Sequence, residues 1–368
     1  MKRRSESKKD AFSQKMTDIL NYGALNLALA VGYQTGLVDV MDKLCSPDTA
    51  SAIAEKAGLD IRYVKEWLGV MVCGEIVELS ADEHGEDLFQ LPQEYGDLIT
   101  RRAGNSNLGV YTQEIPLLTK CAMEPVLISF SSGKGVHYEN YPEFQGFMSQ
   151  LANAKHREVL VNQFLPSVDE GRLLQKMESG IRVCDLGCGE GVAAMILARA
   201  FPKSDFVGLD LSPEVIRKAQ RDALRENLEN LKFHQQDAAT LEGRTSFRGY
   251  FDYVIAFDAI HDQTHPKEAL KGVYCILKEG GFFTMVDIAA SSHLSENRSH
   301  PMGPFLYTVS LMHCMPVGLL NGGLGLGMMW GRQLAVEMLK EAGFEQIDVL
   351  EIRDDPFNLH FFCRKQGL

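Results

Sequence analysis

The sequence lacks the features of several large classes of protein. It has eight cysteines but no C-x-x-C pair, and no apolar run follows Met1-Lys2-Arg3-Arg4 that could act as a secretory signal peptide. We therefore expect reduced thiols and a cytoplasmic location, with no disulfide framework and no metal site.

Positive charge is also scarce. Lys and Arg total 37 against 49 Asp and Glu, which gives a formal net charge of −12. Such a chain repels polyanions, so nucleic acid and anionic membranes are not expected partners. With 45% apolar and 23% charged residues, the 368-residue chain has the composition of a globular protein and the length of two domains.

One long segment has no charged side chain at all. From Pro301 to Gly331 there is no Asp, Glu, Lys or Arg, but seven glycines, Pro304 and Pro316 interrupt the apolar residues. A bilayer helix would leave backbone groups unpaired at such a density of glycine and proline. We predict that residues 290–331 form an apolar cover over a pocket, with a helical hairpin in the core as the alternative.

Residues 1–103 have the pattern of a mainly α-helical, winged-helix domain. Apolar positions recur at helical spacing within residues 10–45, and a helix is predicted from Asp60 to Cys73. Two short strand-like pieces follow, Ile76–Leu79 and Leu88–Leu91, with a polar turn between them. Helix, turn, helix and hairpin is the winged-helix order.

The charge of this domain disfavours the DNA binding that many winged helices perform. Between Asp48 and Arg101 there are twelve acidic residues and four basic ones, and the hairpin is acidic where a DNA-binding wing would be basic. We expect the domain to mediate dimerisation instead.

After a predicted helical connector at residues 104–180, the pattern becomes an alternation of strands and helices. Such an alternation over residues 181–368 predicts an α/β domain with a parallel sheet. The predicted strands are Ile181–Leu186, Asp205–Asp210, Leu231–Gln236, Asp252–Phe257 and Gly281–Ile288.

The turn after the first of these strands is rich in glycine. Asp185 is followed by Gly187, Gly189 and Gly191, and a helix begins at once. Glycines allow a sharp turn and close approach of a ligand, and ligands of such sheets bind at the carboxyl ends of the strands. The spacing differs from G-x-G-x-x-G, and a preceding acid suits a cationic ligand better than a diphosphate.

Two further acids end the next two strands. Asp210, followed by Leu211, is placed to accept hydrogen bonds from ribose hydroxyls, although capping a helix is its alternative role. Asp237, followed by Ala238, is placed to accept a hydrogen bond from an adenine amino group.

The glycine-rich turn after the first strand, the acid after the second and the acid after the third, in this order, resemble the cofactor-binding motifs of the class I S-adenosylmethionine-dependent methyltransferases. The resemblance implies a Rossmann-like sheet, mostly parallel with the last strand antiparallel, and S-adenosylmethionine as cofactor, with S-adenosylhomocysteine as product. It also implies which residues bind the cofactor: Asp185, Gly187, Cys188, Gly189, Gly191, Asp210, Leu211, Asp237 and Ala238. To these we add Phe257 and Tyr141 as aromatic neighbours of the cofactor. A dinucleotide enzyme is the disfavoured alternative, because the phosphate fingerprint is missing.

The domain order further resembles the two-domain small-molecule O-methyltransferases. In that family a His-Asp motif after the fourth strand supplies the base, and His261-Asp262 match it, although Gln263 stands where the family usually has Trp. The resemblance implies that His261 deprotonates a hydroxyl; a structural histidine at the cofactor edge is the alternative.

The sequence thus predicts a homodimeric methyltransferase acting on a small, rather apolar acceptor. Oxygen is the favoured acceptor atom, with nitrogen, sulfur and carbon left open. The alternatives are a cofactor-binding transcriptional regulator without methyl transfer and a protein methyltransferase.

Overall fold

The chain folds into two compact units in a computed structural model that describes residues 7–367, except for the side chains of Asn105 and Gln145. One unit ends at Thr119 and the other begins at Lys120. The boundary lies inside a helix, Glu114–Ser132. The segment predicted as a connector, residues 104–180, is therefore divided between the two units.

The first unit is mainly α-helical. Its long first helix begins with a capping box between Ser7 and Asp10, and it ends at Gly36, whose φ of 77° is left-handed. Its helices are α1 (Lys8–Thr35), α2 (Leu37–Asp42), α3 (Ala50–Ala57), α4 (Ile61–Cys73), α5 (Gln93–Ile99) and the start of α6 (Glu114–Ser132). Short 3₁₀ turns occupy Arg101–Ser106 and Gly109–Gln113.

A winged helix lies within this unit, as predicted. Its antiparallel sheet has the order β1-β3-β2 and comprises β1 (Asp48–Thr49), β2 (Glu78–Ala81) and β3 (Asp87–Gln90). The Asp60 carboxylate caps α4, which buries Trp67 and Leu68. The observed strands begin or end within two residues of the predicted ones.

The second unit is built around a seven-stranded sheet. Its strands are β4 (Arg182–Leu186), β5 (Asp205–Asp210), β6 (Leu231–Gln235), β7 (Phe251–Phe257), β8 (Leu277–Ile288), β9 (Gln346–Ile352) and β10 (Asp355–Arg364). Its helices, after the end of α6, are α7 (Pro142–Val159), α8 (Leu165–Ser167), α9 (Arg172–Ser179), α10 (Val192–Ala200), α11 (Pro213–Arg225), α12 (Pro266–Ile276), α13 (Gly303–Val309), α14 (Met315–Gly318) and α15 (Arg332–Glu341).

The strand order of this sheet is β6-β5-β4-β7-β8-β10-β9. Strands β4 to β8 pair in parallel, and β10 pairs antiparallel with both β8 and β9. The predicted sheet, mostly parallel with the last strand antiparallel, is confirmed. Chain order reverses at β4, so the carboxyl ends of β4, β5 and β7 define the crevice where such sheets bind ligands.

Both faces of the sheet are buried. Leu186, Val254 and Phe283 pack on the face covered by α12 and α15, while Val183 and Ile255 pack on the face covered by α9 to α11. Burial on both faces explains why β7 is a nearly continuous apolar run in the sequence.

The charge-free segment forms α13, a π-helical turn at Ser310–Cys314, α14 and an irregular stretch to Gly331. Met312, Met328 and Trp330 within it are buried. Across the described residues, no helix is both long and apolar enough to cross a membrane.

Candidate active site

The turn between β4 and α10 has a backbone that only glycine adopts readily. Gly187, Gly189 and Gly191 have φ values of 71°, 52° and 75°. The amides of Gly187 and Cys188 donate to the Leu209 carbonyl oxygen at 2.8 and 3.0 Å, which ties the turn to β5. A Cβ at Gly187 would lie 2.5 Å from that of Ala259, so this position has no room for a side chain.

Asp185, near the end of β4, has a carboxyl group that forms no ion pair with the described residues. It is 4% exposed, and its Oδ2 has no hydrogen-bond partner in the described chain. Burial, reinforced by the nearby charge of Asp210, raises the pKa of Asp185 to about 7.

Asp210 connects the end of β5 to the glycine turn. Its Oδ2 accepts from the Gly189 amide and its Oδ1 from the Ser212 amide, both at 2.9 Å. Each oxygen keeps a lone pair for a further donor. Leu211, the next residue, is 63% exposed.

Asp237 follows β6 and begins a 3₁₀ turn. Its Oδ1 accepts from the Ala239 amide at 2.9 Å, while Ala238 is buried beside it. The structure therefore brings Asp185, Asp210 and Asp237 to the same edge of the sheet.

Cys188 is partly buried, and burial holds the pKa of its thiol well above the usual value, so the thiol stays protonated.

The two aromatic residues predicted near the cofactor differ in their surroundings. Phe257 ends β7, is partly buried, and its ring centroid lies 4.8 Å from that of His156. Tyr141 has no exposed surface; its hydroxyl donates to the Met312 carbonyl oxygen at 2.8 Å and its ring packs edge-on against His313. In this conformation Tyr141 therefore has no surface for a ligand.

His261 lies after β7 and is 3% exposed. Its Nδ1 is 2.8 Å from Asp287 Oδ1, on β8. That oxygen also accepts from the Trp330 indole at 3.1 Å and from the Ile288 amide at 2.8 Å. Asp287 is thereby fixed by two donors, and it in turn fixes the orientation of the imidazole.

The other ring nitrogen of His261 meets a second carboxylate. Nε2 lies 3.3 Å from Asp262 Oδ1, so the predicted pair His261 and Asp262 is adjacent in space as well as in sequence. Burial lowers the pKa of His261, but the charges of Asp287 and Asp262 outweigh it, and the pKa lies well above its ordinary value.

Comparison with known families identifies the two parts of the chain. Residues 177–318 match the family described as "Methyltransferase domain", and residues 23–101 match "Rv2258c-like winged HTH domain". The chain thus has a segment similar to methyltransferase domains after one similar to winged helices. The prediction of a methyltransferase domain is confirmed.

Curated relatives align mainly with the methyltransferase domain. A phthiotriol/phenolphthiotriol dimycocerosates methyltransferase of Mycobacterium ulcerans is 33% identical over 118 residues, which are 32% of this chain and 41% of that protein. Erythromycin 3''-O-methyltransferase of Saccharopolyspora erythraea is 27% identical over 51% of this chain and 59% of its own length. The chain thus spans about two fifths to three fifths of these relatives.

Solved structures share the fold over nearly the whole chain. Human N-acetylserotonin methyltransferase, solved in complex with S-adenosylmethionine, has a TM-score of 0.66 and 16% identity and covers 99% of this chain and 100% of its own.

Of three residues around His261 in the methyltransferase domain, Asp287 was not predicted from the sequence, and Trp330 and Cys314 were predicted only as part of the apolar cover at residues 290–331. Asp287 carries the one usable sign, since it is a charged residue within the otherwise apolar end of β8. A buried acid in a central strand needs a partner. Trp330 and Cys314 resemble ordinary core residues in sequence.

Proposed function

We propose that this chain transfers a methyl group from S-adenosylmethionine to a hydroxyl oxygen of a small, rather apolar acceptor, with His261 as the base. The observation that carries the proposal is the placement of Asp185, Asp210 and Asp237 at the carboxyl ends of three adjacent strands, with Asp210 bonded to the glycine turn and His261 after the neighbouring strand.

The residues present fit this cofactor. Asp185 offers an unpaired carboxylate to the ammonium group of the methionine part, and Asp210 offers two oxygens to ribose hydroxyls. Asp237 would accept from the adenine amino group, with the glycine turn, Cys188, Leu211, Ala238 and Phe257 around it. When bound, S-adenosylmethionine supplies an electrophilic methyl group on a sulfonium.

His261 is arranged to receive a proton. The raised pKa favours the imidazolium, so His261 acts as a base after it has lost one proton to solvent. In that neutral form Nδ1–H donates to Asp287 and the lone pair is on Nε2, which can accept the proton of an acceptor hydroxyl as the oxygen attacks the methyl carbon. Asp287 orients the ring and stabilises the imidazolium that forms. Asp262, beside Nε2, stabilises the same charge.

The proposed acceptor class rests on the surroundings of His261 and on the relatives. The neighbouring segment, residues 301–331, has no charged side chain, and Met312 and Met328 within it are buried. Relatives named for small or lipid-like acceptors include the erythromycin enzyme and a fatty-acid O-methyltransferase of Mycolicibacterium smegmatis. We further propose a homodimeric, cytoplasmic enzyme that does not bind nucleic acid or membranes.

The test is transfer of a labelled methyl group to a panel of small phenols, alcohols and carboxylic acids. His261→Ala should lower kcat by about 10²–10⁴-fold, because general-base catalysis is lost. Its affinity for S-adenosylhomocysteine should stay unchanged.

His84→Ala provides the matched control, because His84 is an exposed histidine of the wing. Its kcat should equal that of the wild type. Wild-type turnover by the His261 variant would eliminate the base role, and absence of transfer to every acceptor by wild type would count against the proposed reaction class.

A further inference from the structure

The imidazole of His261 and two neighbouring side chains form a cluster of three different metal-binding groups. A ring nitrogen of His261, a carboxylate oxygen of Asp262 and the Cys314 Sγ lie within 4.8 Å of one another. Nitrogen, thiolate and carboxylate oxygen are the three ligand types that Zn²⁺ takes in proteins, usually with four ligands in a tetrahedron.

One oxygen of the Asp262 carboxylate is buried without a hydrogen-bond donor in the part of the chain that the structure describes. Its Oδ1 is buried and has no hydrogen-bond partner among the described residues, although His261 Nε2 is only 3.3 Å away. The two atoms are close but are not aligned for a hydrogen bond. A shared cation would satisfy both, since two ligands of one metal ion lie at about this separation.

Asp287 completes the arrangement on the opposite side of the ring. The Nδ1–H donates to its Oδ1 at 2.8 Å, which leaves Nε2, the nitrogen nearest Asp262, as the one that can coordinate a metal once it has lost its proton. A carboxylate that holds the second nitrogen of a histidine is the usual support of a zinc ligand, because it fixes the tautomer and raises the basicity of the ring.

Cys314 reaches the cluster through an unusual backbone. It ends the π-helical turn Ser310–Cys314, and π-helical turns are frequently found at functional sites. The thiol is 52 residues or more from the other two ligands in the sequence, and Cys314 is 4% exposed.

The local charge favours a cation. Within the described part of the chain, neither Asp262 nor Asp287 forms an ion pair with Lys or Arg, and His261 is the one cationic partner of both. A divalent ion would neutralise two carboxylates that otherwise share a single imidazole.

We propose that His261, Asp262 and Cys314 bind Zn²⁺, and that zinc inhibits methyl transfer by occupying His261 Nε2. On binding, the Cys314 thiol and the Nε2 of the protonated His261 each lose a proton to solvent, the thiolate and Nε2 coordinate the metal, and a water fills the fourth position. The lone pair of Nε2 then cannot accept a proton from the acceptor. The inhibition rests on the proposed function, whereas the metal site does not.

The binding test uses the full chain, freed of metal by a chelator and titrated with Co²⁺. A thiolate-to-cobalt charge-transfer absorption should appear at one ion per chain and disappear when Zn²⁺ is added. It should be absent from Cys314→Ser and present in Cys275→Ser, a control cysteine on α12. Circular dichroism verifies that each variant is folded.

Calorimetry with Zn²⁺ adds a graded result. Asp287→Asn should weaken binding by about 10–100-fold, because it removes the partner of a ligand, and Cys314→Ser should weaken it further. A cobalt spectrum without a thiolate band, or an equal zinc affinity for wild type and folded Cys314→Ser, would overturn the site.

The activity test is separate. Added Zn²⁺ should inhibit methyl transfer by wild type, a chelator should restore it, and folded Cys314→Ser should need a much higher zinc concentration for the same inhibition. Zinc that binds with the thiolate band but leaves transfer unchanged would overturn the inhibition alone. A metal-free chain that binds Co²⁺ but transfers no methyl group would refute the proposed function and leave the site standing.

Discussion

Asp185 is a buried acid whose ionisation is costly without a cation. It is 4% exposed, one of its oxygens is unpaired, and its pKa is raised to about 7. At neutral pH the residue is therefore poised between its acid and its carboxylate. A ligand that brings an ammonium or sulfonium group selects the carboxylate.

This selection predicts a pH-dependent affinity for S-adenosylhomocysteine. Below pH 7 the protein must first release a proton from Asp185, so affinity should rise with pH by up to about tenfold per unit and level off above pH 7. Calorimetry between pH 6 and 8 measures this, and Asp185→Asn should bind more weakly with a flatter profile. Equal pH profiles for wild type and the variant would contradict the assignment.

At the scale of elements, the β4–α10 turn depends on its glycines for two separate reasons. Gly187 has a left-handed φ of 71°, and its Cβ would lie 2.5 Å from that of Ala259. Gly280, in β8, has a similar φ of 73° but nothing within 4 Å of its position. Comparing alanine substitutions at Gly187 and Gly280 therefore separates the free-energy cost of the left-handed backbone from the cost of the steric contact with Ala259.

Gly187→Ala should therefore be more harmful than Gly280→Ala. Both substitutions should destabilise the fold by about 1–2 kcal/mol because alanine must adopt a left-handed backbone, and Gly187→Ala should add about 1–3 kcal/mol of steric strain. Urea unfolding measures the difference, and cofactor affinity should fall only in the Gly187 variant. Equal unfolding midpoints would show that the turn can relax around a methyl group.

Local patterns predicted most of the elements that hold the site. The strand Asp205–Asp210 has its predicted bounds, because an acid stands at each end of its apolar run, and the helix predicted after Gly191 begins at Val192. Asp262 was predicted beside His261, but Asp287 was not. Asp287 is 26 residues from His261 in the sequence, and only the pairing of β7 with β8 brings it near. Trp330, which donates to Asp287, is 69 residues from His261.

The expectation that no metal binds stays a prediction. It rested on the spacing of cysteines along the sequence, which does not register side chains 52 residues apart such as Asp262 and Cys314. Burial is likewise not visible in the sequence: Tyr141 was proposed for its aromatic ring, and the fold encloses it.

At the scale of the whole molecule, α1 presents apolar side chains that are exposed among the described residues. The helix has 28 residues, and its exposed apolar side chains include Phe12, Ile19, Leu20, Tyr22 and Leu27. An exposed apolar surface of this extent is typical of a protein interface. Since an isologous dimer uses the same surface twice, a second copy of this chain is the proposed partner.

Sedimentation velocity tests this pairing. Wild type should sediment as a dimer, and Leu20→Asp should shift it towards monomer by burying a charge at the interface. Leu224→Asp is the matched control, because Leu224 is 79% exposed on α11 of the other unit. A monomeric wild type, or equal shifts in both variants, would exclude pairing through α1.

The central claim is that the glycine turn and its three acids bind a phosphate-free adenosine sulfonium. The most direct measurement is calorimetric titration of the purified chain with S-adenosylmethionine, with NAD as the competing candidate. One molecule of S-adenosylmethionine should bind per chain, Asp210→Ala should weaken it by at least about tenfold through the lost ribose contacts, and NAD should give no heat. Binding of NAD without binding of S-adenosylmethionine or its demethylated product would contradict the claim.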